Sequence, residues 1–302
     1  MSEIVEYFPS EKDLIKQIMN ISATVWKHEL TGKDIENWLS NFTGEIFTVE
    51  EEKLIALWLL THFVYYNEDE VRYLCKILYK DFVHYLICEN SILESDVKEY
   101  IKSVITNYQF YYLGKASESG SFILYFFRQV NNLALVNFSK HLNIEEEIPG
   151  NIVFIDDVTL TADETSQAYM YFDKLKVKDN KKILLTLIAS EEAIKNLEKI
   201  GVIVIAAIIL EKRNRCFDSA SDIFQHNNHL MDACQKMCTH YGTKIKPGMP
   251  LGYKNGQYTF GFFYNTPDNT LPVFWADDSW NPIVKRYDKN YKSKFFEYER
   301  FV

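Results

Sequence analysis

The first hundred residues show the spacing of hydrophobic positions that is typical of amphipathic helices. Leu14, Ile18 and Ile21 recur at intervals of three and four residues, which places them on one face of a helix. Thr48 and Glu51 precede a second apolar stretch with the spacing of a capping box, in which each side chain binds a free amide at the helix start. We therefore predict an all-α helical region over residues 1–105.

After about residue 106 the pattern changes to short apolar runs that alternate with helical segments. The runs lie at residues 108–113, 151–158, 183–189 and 202–210. Strands that are apolar on both faces belong to parallel sheets covered by helices on two sides. We therefore predict an α/β fold, a Rossmann-like parallel sheet flanked by helices, over residues 106–302.

Composition and charge exclude several classes of protein. With 47% hydrophobic and 25% charged residues, the chain has the profile of a globular protein, not of a collagen-like, disordered or coiled-coil one. A net charge of −9 argues against general nucleic-acid binding. The longest apolar run, Val202–Leu210, has nine residues, whereas a membrane span needs about 20, so we expect no membrane partner.

The cysteines and the N-terminal residues bear on localisation. Five cysteines are few and odd in number, which favours reduced thiols in the cytoplasm over a disulfide framework. The first residues are acidic and contain no apolar stretch with a cleavage site, so we expect no signal peptide.

The most informative residues are two adjacent acids, Asp156 and Asp157, which follow four apolar residues of a predicted strand. Ligands of parallel sheets bind beyond the carboxyl ends of the strands. The loop 159–165 then leads into a helix, and its hydroxyls, its free amides and the helix dipole suit a phosphate. Since adjacent strand residues point to opposite faces, we expect one of the two acids to face a ligand directly.

The stretch from Ile152 to Thr161 resembles the ribose-5-phosphate signature of the type I phosphoribosyltransferases, in which four apolar residues precede two acids and a Thr/Gly-rich loop. The resemblance implies that Asp156 and Asp157 act catalytically by holding the ribose hydroxyls of phosphoribosyl diphosphate, with Mg²⁺ as cofactor bound to the same acids. It also implies substrate binding by the loop residues Thr159, Thr161, Ala162, Asp163, Glu164 and Thr165.

The segment 114–121 is similar to the pyrophosphate loop of the same family, a strand-to-helix turn rich in Gly and Ser with a lysine. This similarity implies substrate binding by Lys115, Ser117, Ser119, Gly120 and Ser121. By its sequence alone, a flexible surface turn explains this loop as well as a ligand loop does.

Further segments resemble a divergent branch of this superfamily, PRTase-CE. They lie at residues 38–42, 56–63, 250–253 and 264–275. The resemblance implies a phosphoribosyltransferase-like domain with a C-terminal extension. Members of the branch are associated with bacterial antiviral defence, which implies a protein partner encoded in a defence operon.

We therefore expect the protein to bind phosphoribosyl diphosphate or a nucleotide together with Mg²⁺. If it also transfers the phosphoribosyl group, it is a glycosyltransferase. Ala162 stands where the family loop usually has Gly, and Asp163 and Glu164 follow it. Two carboxylates repel a phosphate dianion. The alternative is therefore a catalytically inactive subunit that senses a nucleotide or serves only in protein interaction.

Three other groups of residues have competing interpretations. Histidines and cysteines between residues 226 and 240 include metal-ligand types, but their spacing fits no standard zinc finger, and core or surface packing is the default. The tryptophans at 275 and 280 either stack a base or belong to a C-terminal clasp. The basic residues from 285 to 294 are interpreted as a solvated surface or a partner contact.

Overall fold

The computed structural model describes residues 7–28, 30–89, 97–114, 118–138, 151–175, 181–225, 227–277 and 279–287. Its α-helices are α1 (Glu11–Ile21), α2 (Gly32–Leu39), α3 (Val49–Thr61), α4 (Glu68–Glu89), α5 (Val97–Ile105), α6 (Ser119–Val130), α7 (Gln167–Lys174), α8 (Glu191–Glu198), α9 (Asn228–Ile245) and α10 (Pro272–Trp275). Its strands are β1 (Val64–Tyr66), β2 (Tyr108–Tyr112), β3 (Asn151–Thr159), β4 (Lys182–Ser190), β5 (Val202–Leu210) and β6 (Phe260–Phe262).

The chain divides into two compact units, one formed by residues 1–67 with 215–302 and the other by residues 68–214. These boundaries differ from the predicted division near residue 105, because α4 and α5 group with the strands that follow them and the C-terminal segment groups with the first helices. The division into a helical region and an α/β domain stays a prediction.

The unit of residues 68–214 contains the predicted sheet. Its four strands are parallel throughout, in the order β2-β3-β4-β5. One face packs on α7 and α8 through a cluster that includes Phe154, Phe172 and Leu197. On the other face Phe110 contacts Phe82 of α4 and Phe127 of α6. Helices thus flank both faces, which confirms the predicted α/β class.

Capping side chains fix where the helices of the other unit begin. The predicted capping box at Thr48 and Glu51 is confirmed, and Thr31 with Asp34 forms a second one in front of α2. Each box satisfies backbone amides that have no partner inside the helix.

The unit of residues 1–67 and 215–302 also holds a small parallel sheet, in which Val64 of β1 lies opposite Phe260 of β6. The sequence pattern did not predict this pair. Its two strands have three residues each, too few to show a hydrophobic period.

The C-terminal tryptophans belong to the core of this unit. Trp275 and Trp280 are 5% and 8% exposed, and their indole N–H groups donate to the carbonyl oxygens of Thr270 and Val273. Buried rings whose polar edges are engaged favour the clasp over base stacking. Of the basic tail, Arg286 donates to Asp268 and its guanidinium lies over Trp275; residues 288 onward lie outside the described part.

Among the described residues of the cysteine and histidine cluster, the cysteines pack in the core and the histidines lie at or near the surface. Cys216, Cys234 and Cys238 are fully buried, and burial raises the pKa of each thiol. His240 contacts Glu45 at 2.8 Å, and His226 lies outside the described residues. Within the described part of the chain, no helix is both long and apolar enough to cross a bilayer.

Candidate functional site at the carboxyl edge of the sheet

The predicted acid pair lies at the carboxyl end of β3. The four residues before it, from Ile152 to Ile155, are completely buried, and Ile155 pairs with Tyr112 at the end of β2. Because the strands are parallel, the turn after β2 and the loop after β3 leave the sheet at the same edge. Both predicted ligand loops therefore start at the same edge of the sheet.

Asp157, near the end of β3, joins this strand to the first turn of α6. Its Oδ1 accepts a hydrogen bond from the Ser119 hydroxyl, with an oxygen–oxygen distance of 2.9 Å across 38 residues of sequence. The same oxygen accepts from the amide N–H of Val158 at 2.9 Å. Asp157 is 9% exposed, so these bonds hold a nearly buried carboxylate in one orientation at the edge of the sheet.

Asp156 is partly buried and lies close to further negative charge. Its Oδ1 accepts from the amide of Asp157 at 2.9 Å. Burial raises the pKa of Asp156 well above its usual value, and the neighbouring charges of Asp157 and Glu118 raise it further. Strand alternation predicts carboxylates that point apart, but the structure leaves them close enough to repel one another.

Glu118 is a residue of this edge that the sequence analysis did not assign to the site. It lies at the N-cap position of α6, and its charge acts on Asp156. Glu118 directly precedes the helix that follows β2, and a residue in that position lies at the carboxyl edge of the sheet. This position is the signal that could have identified it.

Two glycines shape the turn between β2 and α6. Gly114 has φ +96°, a backbone conformation that residues with a Cβ rarely adopt. Gly120 lies so close to the end of β2 that a Cβ would stand 2.6 Å from the carbonyl oxygen of Leu113. Only glycine at position 120 allows the first turn of α6 to reach Asp157 through Ser119.

The backbone conformation at Ala162 and two serine hydrogen bonds shape the loop after β3. Ala162 is buried and has φ +21°, on the positive side that favours glycine, the residue that the resemblance implies at this position. The hydroxyl of Ser190 donates to the carbonyl oxygen of Leu160 at 2.7 Å and so ties the loop to the start of α8. Ser166 caps α7 by accepting from the amide of Tyr169.

Thr159 carries a buried hydroxyl at the start of this loop. The residue is 5% exposed, and its Oγ1 has no hydrogen-bond partner among the described residues. A buried polar group without a partner costs about 1–3 kcal/mol, so native structures rarely retain one unless another molecule satisfies it. This atom therefore favours a ligand at the loop.

Asp163 and Thr165 interact with each other inside the loop. Oδ1 of Asp163 accepts from the backbone N–H of Thr165 at 3.0 Å and from its hydroxyl at 2.7 Å. Thr161 is half-buried, while Glu164 and Thr165 are exposed. Asp163 is thus bonded within the loop, whereas Glu164, the other acid that departs from the family pattern, is exposed.

Of the predicted loop residues after β2, Ser119, Gly120 and Ser121 lie in the first turn of α6. The Ser121 hydroxyl donates to the carbonyl oxygen of Glu118 at 2.8 Å. Lys115 and Ser117 lie outside the described residues. Their assignment to the site stays a prediction.

The acid pair suits a metal ion that is shared with a ligand. Mg²⁺ prefers oxygen ligands and is commonly bound by one or two carboxylates together with substrate phosphates, and a divalent cation would relieve the repulsion between Asp156 and Asp157. Within the described part of the chain, no three His, Cys, Asp or Glu side chains are grouped to hold a metal by themselves. The donor set thus fits a Mg²⁺ ion bound along with a phosphate-bearing molecule.

Comparisons with known proteins give one family. The chain is similar to a chain in the structure of the UMP synthase of Leishmania donovani, with a TM-score of 0.30 and 10% identity, over 68% of this chain and 41% of that one. No curated protein matches it. The sequence profile of the PRTase-CE family matches residues 35–286, well over half of the 302 residues. The chain therefore belongs to the PRTase-CE family, as the resemblance in its motifs predicted.

Proposed function

We propose that this protein binds a phosphoribosyl ligand, phosphoribosyl diphosphate or a nucleotide, together with Mg²⁺ at the carboxyl edge of its four-stranded sheet. The observation that carries the proposal is the hydrogen bond from Ser119 to Asp157, which brings together the predicted pyrophosphate loop and the predicted ribose-binding acids. Membership of the PRTase-CE family supports it.

The roles of the residues follow from their chemistry. Asp157, which Ser119 holds in place, presents its carboxylate to the ribose hydroxyls, and Asp156 shares the metal. The N-termini of helices bind anions through backbone amides, so the starts of α6 and α7 suit the diphosphate and the 5-phosphate, respectively. Bound Mg²⁺ supplies charge neutralisation for the diphosphate.

Transfer of the phosphoribosyl group would need positioning and electrostatic stabilisation of charge at C1 of the ribose, without a protein nucleophile.

The second candidate is a sensor that binds the same ligand without turnover. The engagement of Thr165 by Asp163 favours this second function, because it occupies donors of the predicted phosphate loop. A defence setting and a protein partner from the same operon stay predictions.

A calorimetric titration of the full-length protein tests the proposal. Phosphoribosyl diphosphate, ribose 5-phosphate and AMP are titrated with and without Mg²⁺. We expect binding of phosphoribosyl diphosphate that requires Mg²⁺. Asp157→Asn should weaken it by about tenfold to a hundredfold, the range for a hydrogen bond to a charged group.

Asp173→Asn is the matched control, because Asp173 is an exposed carboxylate on α7 of the same unit and should leave the affinity unchanged. Release of pyrophosphate in the presence of candidate acceptors identifies a transferase, and binding without release identifies a sensor. If the wild type binds none of the three compounds, or if both variants lose affinity equally, the proposal is wrong.

A further inference from the structure

In the loop after β3, the carboxylate of Asp163 already accepts hydrogen bonds from the donors of Thr165. Oδ1 of Asp163 accepts from both the backbone N–H and the hydroxyl of Thr165, at 3.0 and 2.7 Å. The backbone carbonyl oxygen of Asp163 accepts from the amide of Ser166 at 2.8 Å. Asp163 therefore uses its side chain and its backbone to satisfy the donors that directly precede α7.

These are the donors that a phosphate at this loop would need. Backbone amides at a helix start and nearby hydroxyls bind phosphate oxygens, and a carboxylate oxygen is an anionic acceptor of the same kind. A phosphate that approaches Thr165 therefore has to displace Asp163 and then meets its negative charge at short range.

We propose that Asp163 is an internal competitor for phosphate, which lowers the affinity of the loop for the phosphate of a phosphoribosyl ligand. The inference rests on the proposed function, since it assumes that this loop is the phosphate site. It makes Asp163 a determinant of affinity: a ligand held by the diphosphate and ribose contacts as well can displace the carboxylate, whereas a ligand with a single phosphate binds weakly.

Two neighbouring residues support this assignment. The buried Thr159 hydroxyl at the start of the loop has no partner among the described residues, so the loop keeps a donor that Asp163 does not satisfy. Glu164 is equally acidic, but it is exposed and makes no hydrogen bond or ion pair with another described residue. Asp163 thus occupies the hydrogen-bond donors of Thr165, whereas Glu164 only adds negative charge to the loop.

Three variants of the full chain, Asp163→Ala, Asp163→Asn and Glu164→Gln, distinguish occupation from charge. Calorimetry measures their affinity for ribose 5-phosphate and for phosphoribosyl diphosphate with Mg²⁺. Asp163→Ala frees the donors of Thr165 and should bind ribose 5-phosphate about tenfold more tightly than the wild type does.

Asp163→Asn keeps a carbonyl oxygen that can accept from Thr165, and Glu164→Gln removes only an exposed charge. Both should therefore give a smaller gain in affinity, about two- to threefold. Equal gains for Glu164→Gln and Asp163→Ala would show that repulsion alone acts and would overturn the inference.

Hydrogen exchange at the Thr165 amide reports on the contact without any ligand. We expect faster exchange in Asp163→Ala than in the wild type or Glu164→Gln, with protection restored by ribose 5-phosphate. Unchanged exchange in Asp163→Ala would refute the contact. If the wild type binds phosphoribosyl diphosphate but Asp163→Ala binds neither ligand more tightly, only this inference fails. If neither protein binds either ligand, the proposed function fails with it.

Discussion

At the scale of single residues, the most demanding position is Gly120. A Cβ there would lie 2.6 Å from the carbonyl oxygen of Leu113 and 3.3 Å from that of Ile155. Leu113 directly follows β2, and Ile155 lies within β3 and accepts from the Leu113 amide, so both carbonyl groups have little freedom to move. The close approach of α6 to the sheet therefore depends on the absence of a side chain.

Gly120→Ala should accordingly destabilise the protein, even though alanine favours helices more than glycine does. We expect the free energy of unfolding to fall by about 1–3 kcal/mol, the usual cost of overpacking, as measured by urea denaturation. Gly32→Ala is the control, because no atom lies within 4 Å of a Cβ at that position of α2. A loss of stability in the control but not at Gly120 would contradict the packing described for this turn.

Thr159 gives a prediction in which stability and binding change in opposite directions. Thr159→Val replaces a buried, unpartnered hydroxyl with a methyl group and should raise the free energy of unfolding by about 1 kcal/mol. The same variant should bind phosphoribosyl diphosphate more weakly, as calorimetry would show.

Thr186→Val provides the comparison, since Thr186 of β4 is also buried but its hydroxyl donates to the carbonyl oxygen of Ile188 at 3.2 Å. This variant should lower the free energy of unfolding. If Thr159→Val is as destabilising as Thr186→Val, the Thr159 hydroxyl has a partner and does not indicate a ligand.

At the scale of elements, the sequence predicted those helix and strand boundaries that depend only on residues close together in the chain. The run from Asn151 to Val158 predicts a strand because its hydrophobic residues are contiguous, and β3 forms there. Thr48 with Glu51 predicts a helix start because these side chains need only amides within three residues of each other, and they cap α3 in this way. The pairing of β1 with β6 joins residues 64 and 260, and no local pattern specifies such a partner.

Glu52 of α3 is a second element-scale feature that the sequence did not reveal. This fully buried carboxylate accepts from the amides of Gly44, Ile46 and Phe47. It also accepts from the hydroxyl of Tyr241 on α9 at 2.5 Å. Glu52 thereby fixes the loop before α3 and links α3 to α9.

Glu52→Gln should lower the free energy of unfolding by about 1.5–3 kcal/mol, because an amide replaces a charged acceptor and presents donors to amide N–H groups. Glu50→Gln is the matched control, since Glu50 is exposed in the same first turn of α3 and should cost at most about 1 kcal/mol. Thermal or urea unfolding of the two variants measures the difference. Equal losses would mean that Glu52 acts only on the helix dipole.

At the scale of the whole molecule, the family match over residues 35–286 spans both compact units, whereas the acid pair and the two predicted loops all lie within residues 68–214. The sequence could predict that these residues share one edge of the sheet, because the ends of parallel strands converge there whatever the rest of the fold does. It could not show that Asp163 occupies the donors of Thr165 or that Ser119 binds Asp157, since these contacts depend on how each loop turns.

The most direct test of the central claim is a map of amide chemical-shift changes in the full-length protein as phosphoribosyl diphosphate and Mg²⁺ are added. The account predicts that the largest changes fall at residues 118–121 and 156–166, and that Asp157→Asn greatly reduces them. Changes concentrated elsewhere, or no changes at a saturating concentration, would contradict the account.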